Sequence, residues 1–231
     1  MKTDKPLISV LIPVHNSGKH LVESLKSILT QSYRNLEILI IDDFSSDNSY
    51  QILRKFAKRD KRIRLKKNVK RYGIGITLNR LLNKTKGDYI AFMDAEDISL
   101  KDRIKKQLLF LKINPDVTAV GSQCYFIGRN DKRIGKSKFP VANQGIYESP
   151  LHGISMQFET VLLNKTLLPK DLIKFNTKSN PFIYSDIFLK LLPYGKFANL
   201  PNFLHYHRNH PNEYFKDLRR NPMSFVKLWI R

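Results

Sequence analysis

Predominantly apolar runs alternate with amphipathic stretches through the first half of the chain. Residues 7–12 and 36–41 form two such runs, which are typical of strands buried on both faces of a sheet. We expect Pro13 to end the first strand. Residues 19–31 carry apolar side chains at helical spacing. The alternation continues with predicted helices at residues 50–59, 73–82 and 102–111 and predicted strands at residues 63–65, 88–93 and 117–127.

The second half of the chain is less regular. Residues 128–144 are rich in basic and small side chains and predict a loop. Beyond them we expect a strand and turn at 161–168, a helix at 187–192 and a strand at 197–206. Strand–helix alternation favours a parallel sheet wrapped by helices. The predicted fold class is therefore α/β, with a mostly parallel central sheet and a less regular C-terminal region.

An acidic cluster follows directly after the apolar strand at residues 88–93. It reads Asp94-Ala95-Glu96-Asp97, and clustered carboxylates repel one another and lose solvation when buried. A divalent cation with substrate phosphates in its shell is one way to stabilise such a cluster. The alternative is a turn followed by a helix cap, since Ser99 begins a capping-box pattern.

Polar and acidic residues follow three of the predicted strands. Asn16 follows the first strand, Asp42 and Asp43 the second, and the acidic cluster the strand at 88–93. Ligands of parallel α/β sheets bind outside the carboxyl ends of the strands, so these side chains predict one shared site. Neither GxGxxG nor GxxxxGK[ST] occurs, which argues against a glycine-cradled dinucleotide or P-loop site.

The charge balance indicates anionic partners. The net charge is +21, from 41 Lys and Arg against 20 Asp and Glu, and the basic residues are densest between residues 54 and 71. Nucleic acid, anionic lipid and phosphorylated substrates would all be attracted by this field, although a solvated helix face explains the density equally well. Because no zinc-knuckle spacing or aromatic ribonucleoprotein strand occurs, nucleic acid is not expected.

Cysteine usage and hydropathy favour a cytoplasmic protein. Cys124 is the single cysteine, so no internal disulfide can form, and it is interpreted as a core thiol in a reducing compartment. No signal peptide and no bilayer-spanning apolar run is visible. An enzyme of this charge could bind the inner face of an anionic membrane peripherally.

Several motifs taken together resemble those of family 2 glycosyltransferases of the GT-A fold. The order and the spacing of the motifs both agree, and the resemblance extends over nearly the whole chain. The motifs are residues 9–16, 41–47, 87–97, 102–104 with Gln107, 114–116, Gly121, 195–201 and 206–212.

The resemblance implies one catalytic domain, residues 1–231, that binds a nucleotide-sugar donor and Mn²⁺ or Mg²⁺. Residues 1–127 would form the nucleotide-sugar half and residues 128–231 the acceptor half. Asp43 would meet the edge of the base, and the segment beginning at Asp94 occupies the DxD position. The implied donor-binding residues are Pro13, His15, Asn16, Asp42, Asp43, Asp94, Ala95 and Arg208. The implied metal ligands are Asp94, Glu96 and His210, of which His210 would alternatively close over the diphosphate with Arg208.

The resemblance implies inverting transfer of a sugar, with UDP-sugar as the expected donor, and therefore a carboxylate base. Relatives carry a Glu-Asp pair that falls here on Ile183 and Tyr184. Asp186 is the nearest carboxylate, and Glu159 is a second candidate; we favour Asp186. Either residue would take the proton of an acceptor hydroxyl.

The expected acceptor is a saccharide or a lipid-linked saccharide, in synthesis of a cell-surface polysaccharide or lipooligosaccharide. Two alternatives stay open. The missing acidic pair is compatible with a catalytically degenerate protein that binds nucleotide or glycan. The charge alone would suit a basic protein that binds nucleic acid or a membrane.

Overall fold

The computed structural model describes residues 5–128, 130–147, 154–177 and 183–208. Within these ranges the chain forms one sheet with helices on both faces. The strands are β1 (Ile8–Val14), β2 (Leu36–Asp42), β3 (Ile63–Lys67), β4 (Tyr89–Phe92), β5 (Ile98–Ser99), β6 (Val117–Ile127), β7 (Arg133–Lys136), β8 (Leu162–Asn164) and β9 (Lys196–Arg208). The helices are α1 (Leu21–Leu29), α2 (Ser49–Arg59), α3 (Ile74–Leu82), α4 (Arg103–Ile113), α5 (Asn143–Tyr147) and α6 (Ile183–Leu191).

The strand order across the sheet is β3-β2-β1-β4-β8-β6-β9-β5, and β7 pairs with β6. Strands β1 to β4 run parallel to one another. Strand β8 lies antiparallel between β4 and β6, while β6 and β9 are parallel. The predicted α/β class with a mostly parallel central sheet is confirmed.

Both faces of the central sheet are covered, which explains the continuous apolar runs. Val10 and Ile12 of β1 pack in one buried cluster with α1, α2 and α4. Leu11, which lies between them in sequence, packs in a second cluster with α3, α5 and α6. Successive residues of a strand point to opposite faces, so a strand covered on both faces shows no polar alternation.

The expectation that Pro13 ends the first strand is wrong, because β1 continues to Val14 opposite Asp42 of β2. Strand β4 pairs with β1 only as far as Leu11 opposite Phe92. At Pro13 the strand therefore has a partner on one side, and a missing proline N–H is tolerated where no second strand needs it.

The structure also adds elements to the second half. The predicted loop at 128–144 contains β7, a short strand antiparallel to β6, and helix α5 begins at its end. All residues of β7 are exposed, so no buried face gives it an apolar pattern. The predicted strand and turn at 161–168 is β8 followed by a 3₁₀ turn, Lys165–Leu167, and the predicted helix at 187–192 is the end of α6.

Candidate active site

The carboxyl ends of β1, β2 and β4 border one cavity of about 370 Å³, here called the main cavity. Asp43 and Asp94 both line it, as the convergence of the strand ends predicted. The structure therefore brings together residues that are 51 positions apart along the chain. The lining residues are Pro13, Val14, His15, Ser17, Asp43, Arg71, Gly73, Ile74, Thr77, Asp94, Ala95 and Glu96.

Asp43 holds one wall of the main cavity in place. Its Oδ1 accepts hydrogen bonds from the Tyr72 backbone N–H at 2.9 Å and the Asn68 side chain at 2.7 Å. Its Oδ2 accepts one from the Gly73 N–H at 2.8 Å. Gly73 has φ 85°, a left-handed conformation that glycine adopts without strain, and it precedes α3. The carboxylate thus fixes the loop that brings Arg71 to the cavity.

Asp42 does not line the main cavity, although the resemblance implied contact with the base and ribose. It is fully buried, and its Oδ2 accepts a hydrogen bond from the Ser45 N–H at 3.2 Å. Its Oδ1 has no hydrogen-bond partner among the described residues. The geometry gives Asp42 a role in shaping the turn after β2.

The two polar residues after β1 differ in position. His15 lines the main cavity, and its Nδ1 lies 2.9 Å from the Asp43 backbone oxygen. Because a carbonyl can only accept, Nδ1 carries the proton. Asn16, with φ 52°, accepts a hydrogen bond from the Ser46 N–H at 2.8 Å and so connects two loops. It is absent from the residues that line the cavity.

The acidic segment turns sharply at the end of β4. Asp94 Oδ1 accepts a hydrogen bond from the Glu96 N–H at 2.8 Å, which is the geometry of an Asx turn. Burial raises the pKa of Asp94 to about 8, and the nearby carboxylates Asp97 and Glu159 add to the effect. The charged form of Asp94 therefore needs a positive neighbour.

The residues in this part of the cavity fit a hard divalent cation. Asp94, Ala95 and Glu96 line it together, and carboxylate oxygens are the ligands that Mg²⁺ and Mn²⁺ prefer. Burial and the neighbouring carboxylates disfavour the charged form of Asp94, and a bound cation would favour it. The third implied ligand, His210, lies outside the described residues.

Asp97, the third acid of the cluster, is bound to strand β9. Its Oδ2 lies 2.8 Å from His205 Nε2 and 3.1 Å from His207 Nδ1, and its Oδ1 accepts from the Arg208 N–H at 2.8 Å. Burial opposes its charge, but His207 and His205 outweigh this and hold the pKa of Asp97 well below its usual range. These three side chains form a compact Asp-His-His group that the sequence analysis missed. The alternation His205-Tyr206-His207 in a strand was the available signal.

Arg208 lies behind the acidic segment and does not line the main cavity. Its side chain is 2% exposed. Its Nε donates to the Glu96 backbone oxygen at 3.1 Å, and its Nη1 donates to the Gly128 backbone oxygen and to Asp131. The structure does not bring this guanidinium to the position that the resemblance implied for it.

The two base candidates occupy different environments. Glu159 lines a narrow cleft that shares Pro13 and Asp94 with the main cavity; we call it the inner cleft. Burial raises the pKa of Glu159, and Gln157 donates a hydrogen bond to its Oε2 at 2.6 Å. The residues of the inner cleft are Leu11, Pro13, Leu78, Phe92, Met93, Asp94, Phe158, Glu159 and Tyr184.

Asp186 is not among the residues that line the main cavity or the inner cleft. It lies on α6, where its Oδ2 accepts a hydrogen bond from Lys190 Nζ at 2.7 Å. Tyr184 lines the inner cleft instead, and its ring stacks on Phe158 at a centroid distance of 4.1 Å.

A buried arginine supports the Glu159 turn and was not singled out as a site residue. Arg103 is fully buried, and its Nη1 donates to the Glu159 backbone oxygen at 2.8 Å. Its Nη2 donates to the Phe92 backbone oxygen at 3.3 Å and its Nε to Ser99 Oγ at 2.7 Å. One guanidinium thus connects the end of β4 to the turn that carries Glu159.

Comparisons with known proteins agree with one another. The family model described as Glycosyl transferase family 2 matches residues 9–174. An uncharacterized glycosyltransferase of Haemophilus influenzae is 32% identical over 217 residues, which are 90% of this chain and 67% of that protein.

Two solved structures share the fold. The mannosyltransferase PcManGT from Pyrobaculum calidifontis, in complex with GDP-Man and Mn²⁺, has a TM-score of 0.74 and 20% identity; the match covers 99% of this chain and 64% of that one. S. aureus TarS 1-349 in complex with UDP-GlcNAc has a TM-score of 0.70 and 20% identity, with 96% and 64% covered. This chain therefore spans less than two thirds of the length of either structure.

Proposed function

The chain belongs to glycosyltransferase family 2, and on that premise we propose that it transfers a sugar from a nucleoside-diphosphate sugar to an acceptor hydroxyl. The observation that carries the proposal is the position of Asp43 and Asp94 in one cavity. A volume of about 370 Å³ is in the range of small-molecule sites.

The proposed donor position runs along the ends of β1, β2 and β4. His15 and the loop that Asp43 holds would border the nucleoside, and Arg71 adds a positive charge to the same wall. The fold neighbours support a nucleotide-sugar donor, since PcManGT was solved in complex with GDP-Man and TarS in complex with UDP-GlcNAc. We take uridine as the base to test first.

Asp94 and Glu96 are the proposed ligands of Mn²⁺ or Mg²⁺. When bound, the ion would offset the negative charge that develops on the departing diphosphate. Asp97 does not compete for this role, because its oxygens already accept three hydrogen bonds from β9. The complex of PcManGT contains Mn²⁺ together with GDP-Man, which supports a divalent ion in the proposed site.

Glu159 is the proposed general base. In a direct displacement with inversion, the acceptor oxygen bonds to the anomeric carbon while the bond from that carbon to the diphosphate oxygen breaks. The acceptor hydroxyl loses its proton to Glu159, and burial, which raises the pKa of Glu159, makes its carboxylate a stronger base than a solvated one. Arg103 would keep the turn in position through its contact with the Glu159 backbone oxygen. Asp186 is less suited, since Lys190 holds its carboxylate outside the inner cleft.

The acceptor would approach from the side formed by residues 128–231. Half-buried Tyr184 lies beside Glu159 in the inner cleft, with its ring stacked on the buried Phe158. We propose a saccharide or lipid-linked saccharide acceptor, in synthesis of a cell-surface polysaccharide or lipooligosaccharide.

Release of nucleoside diphosphate from a panel of UDP- and GDP-sugars with Mn²⁺ tests the proposal. We expect one donor to be consumed, and consumption to stop in Asp94→Asn. The matched control is Asp88→Asn, an exposed acid just before the start of the same strand β4. No consumption of any donor by folded wild-type protein, or full consumption by Asp94→Asn, would contradict it.

A second candidate function is nucleotide or glycan binding without catalysis. It is favoured by Ile183 and Tyr184 at the positions of the family's Glu-Asp pair. Stabilisation by a sugar nucleotide with no turnover in the presence of saccharide acceptors would support it over transfer.

A further inference from the structure

One segment of the chain carries about half of the net positive charge: residues 54–71 have a net charge of +10 out of +21. Asp60 is the single acid between residues 54 and 71, and it is paired with Arg62 at 2.7 Å. The remaining cations of this segment are exposed, although Arg64 Nη1 lies 3.6 Å from Glu37 Oε2, and we call them the basic face. They are Arg54, Lys55, Lys58, Arg59, Lys61, Arg64, Lys66, Lys67, Lys70 and Arg71, all exposed.

The basic face wraps around one edge of the sheet, because Ile63 and Leu65 pack in the cluster that α2 covers and Arg64 and Lys66 therefore point to the side opposite α2. Strand β3 is the edge of the sheet, and α2 packs against it. Along β3, Ile63 is buried and Leu65 half-buried, while Arg64 and Lys66 are exposed. The loop that follows β3 reaches the main cavity at Arg71. The positive surface therefore extends from the sheet edge to the entrance of the proposed active site.

Apolar side chains are exposed among these cations. Val69 is 81% exposed, Phe44 is 50% exposed and Ile74 is 41% exposed. Lys67 Nζ lies 5.9 Å from the centre of the Phe44 ring, so the apolar and basic groups share one surface. Ile74 also lines the main cavity. Exposed apolar groups within a cationic face are typical of surfaces that enter the interface of an anionic bilayer.

We propose that the basic face docks this protein on an anionic lipid bilayer, with Phe44, Val69 and Ile74 entering the headgroup region. Lysine and arginine near such a surface are attracted to its negative potential, and buried apolar side chains add an attraction that salt does not screen. No helix in the described part of the chain is long and apolar enough to cross a bilayer.

A bilayer fits this face better than nucleic acid does. The rings of Phe44, Tyr50 and Tyr72 each have a cation near one face: Lys67 lies 5.9 Å from the centre of the Phe44 ring and 4.6 Å from that of Tyr50, and Arg80 lies 3.9 Å from that of Tyr72. Single-stranded nucleic acid gains much of its affinity from open aromatic faces. A polyanion in water would also gain nothing from the exposed Val69, whereas a bilayer would.

Docking would bring the main cavity close to the membrane, because Arg71 and Ile74 belong to its wall. A lipid-linked acceptor could then reach the cavity without leaving the bilayer. This consequence depends on the proposed function, but the docking does not, and it is measured without turnover.

Cosedimentation of the full chain with vesicles of phosphatidylcholine, with or without phosphatidylglycerol, tests the proposal. The test variant combines Lys66→Glu, Lys67→Glu and Lys70→Glu, and Arg71 is left intact because it lines the cavity. The control combines Lys105→Glu, Lys106→Glu and Lys112→Glu on α4. Helix α4 packs on β6 and also exposes Leu109 and Ile113, so it matches the basic face in chemistry. Thermal unfolding of each variant shows that it is folded.

We expect wild-type protein to bind phosphatidylglycerol vesicles, the test variant to bind about tenfold or more weakly, and the control to bind as wild type does. Val69→Ser should lower the binding that persists at high salt. Equal loss in the control, equal binding to pure phosphatidylcholine, or no vesicle binding by wild type would overturn the proposal. Tighter binding to single-stranded RNA than to the vesicles, unchanged by Val69→Ser, would also overturn it in favour of a polyanion.

Discussion

The carboxylates around the main cavity fall into two groups according to what their oxygens contact. Asp43 and Asp97 accept three hydrogen bonds each from protein donors, so they hold loops and strands in place. Glu159 is buried and Asp94 is half-buried; burial raises both pKa values, and the nearby Asp97 raises both further. Buried acids with raised pKa values and few protein partners are candidates for chemistry.

The raised pKa of Asp94 predicts that replacing it stabilises the metal-free protein at high pH. The folded state holds this proton more tightly than the unfolded chain, so the free energy of unfolding falls as pH rises from about 4 to about 8. Asp94→Asn removes that loss. With a chelator present, the unfolding temperature of Asp94→Asn should exceed the wild-type value by a few degrees near pH 8. The difference should be smaller near about pH 4. The exposed Asp88→Asn should leave the difference near zero, and a less stable Asp94→Asn at every pH would contradict the prediction.

Replacing Glu159 should change turnover much more than replacing Asp186. Glu159→Gln keeps the shape of the side chain but cannot take a proton, so kcat of sugar transfer should fall by about 10²–10⁴-fold while nucleotide binding is retained. Asp186→Asn loses an ion pair with Lys190 and should keep kcat within about threefold of wild type, since an exposed i, i+4 pair contributes little. The reverse pattern of kcat values would return the base role to Asp186.

At the scale of elements, the sequence determines strands better than it determines contacts between distant segments. The parallel strands β1, β2 and β4 and the acidic positions at their ends follow from local hydropathy and the rules of α/β sheets. The placement of Glu159 does not, because a 3₁₀ turn at Phe158–Thr160 and the buried Arg103 bring it to the end of β4. The resemblance to the family's Glu-Asp pair instead favoured Asp186, whose neighbour Lys190 becomes relevant only once α6 is formed.

Asp97 joins two elements, and its replacement should be strongly destabilising. Both carboxylate oxygens of Asp97 now accept hydrogen bonds from β9. In Asp97→Asn only one oxygen remains as an acceptor, and the side-chain NH₂ group faces the β9 donors. We expect the free energy of unfolding, from urea denaturation, to fall by about 3–5 kcal/mol.

Asp102→Asn is the matched control for Asp97→Asn. Asp102 precedes α4, is exposed, and makes no side-chain capping hydrogen bond. Its replacement should change the free energy of unfolding by less than about 0.5 kcal/mol. A loss at Asp97 no larger than the loss at Asp102 would show that the β9 contacts contribute little to stability.

At the scale of the whole molecule, residues 54–71 carry +10 of the net charge of +21, and this segment ends at the wall of the main cavity. Net charge could be read from composition, but its position next to the entrance of the main cavity depends on the loop that Asp43 holds. The same field that would attract an anionic bilayer would also attract a nucleoside diphosphate. Under the proposed function, the acids at the cavity would hold a divalent cation, while the cations around it would attract the diphosphate and the bilayer.

The most direct test of the central account is calorimetric titration of the full chain with UDP and with GDP, each with and without Mn²⁺, for wild type and Asp94→Asn. If Asp94 and Glu96 hold a dication that contacts the diphosphate, Mn²⁺ should tighten binding of one nucleotide by about tenfold or more in wild type. That gain should vanish in Asp94→Asn. Binding that Mn²⁺ leaves unchanged in wild type, or a full Mn²⁺ effect in Asp94→Asn, would contradict the account.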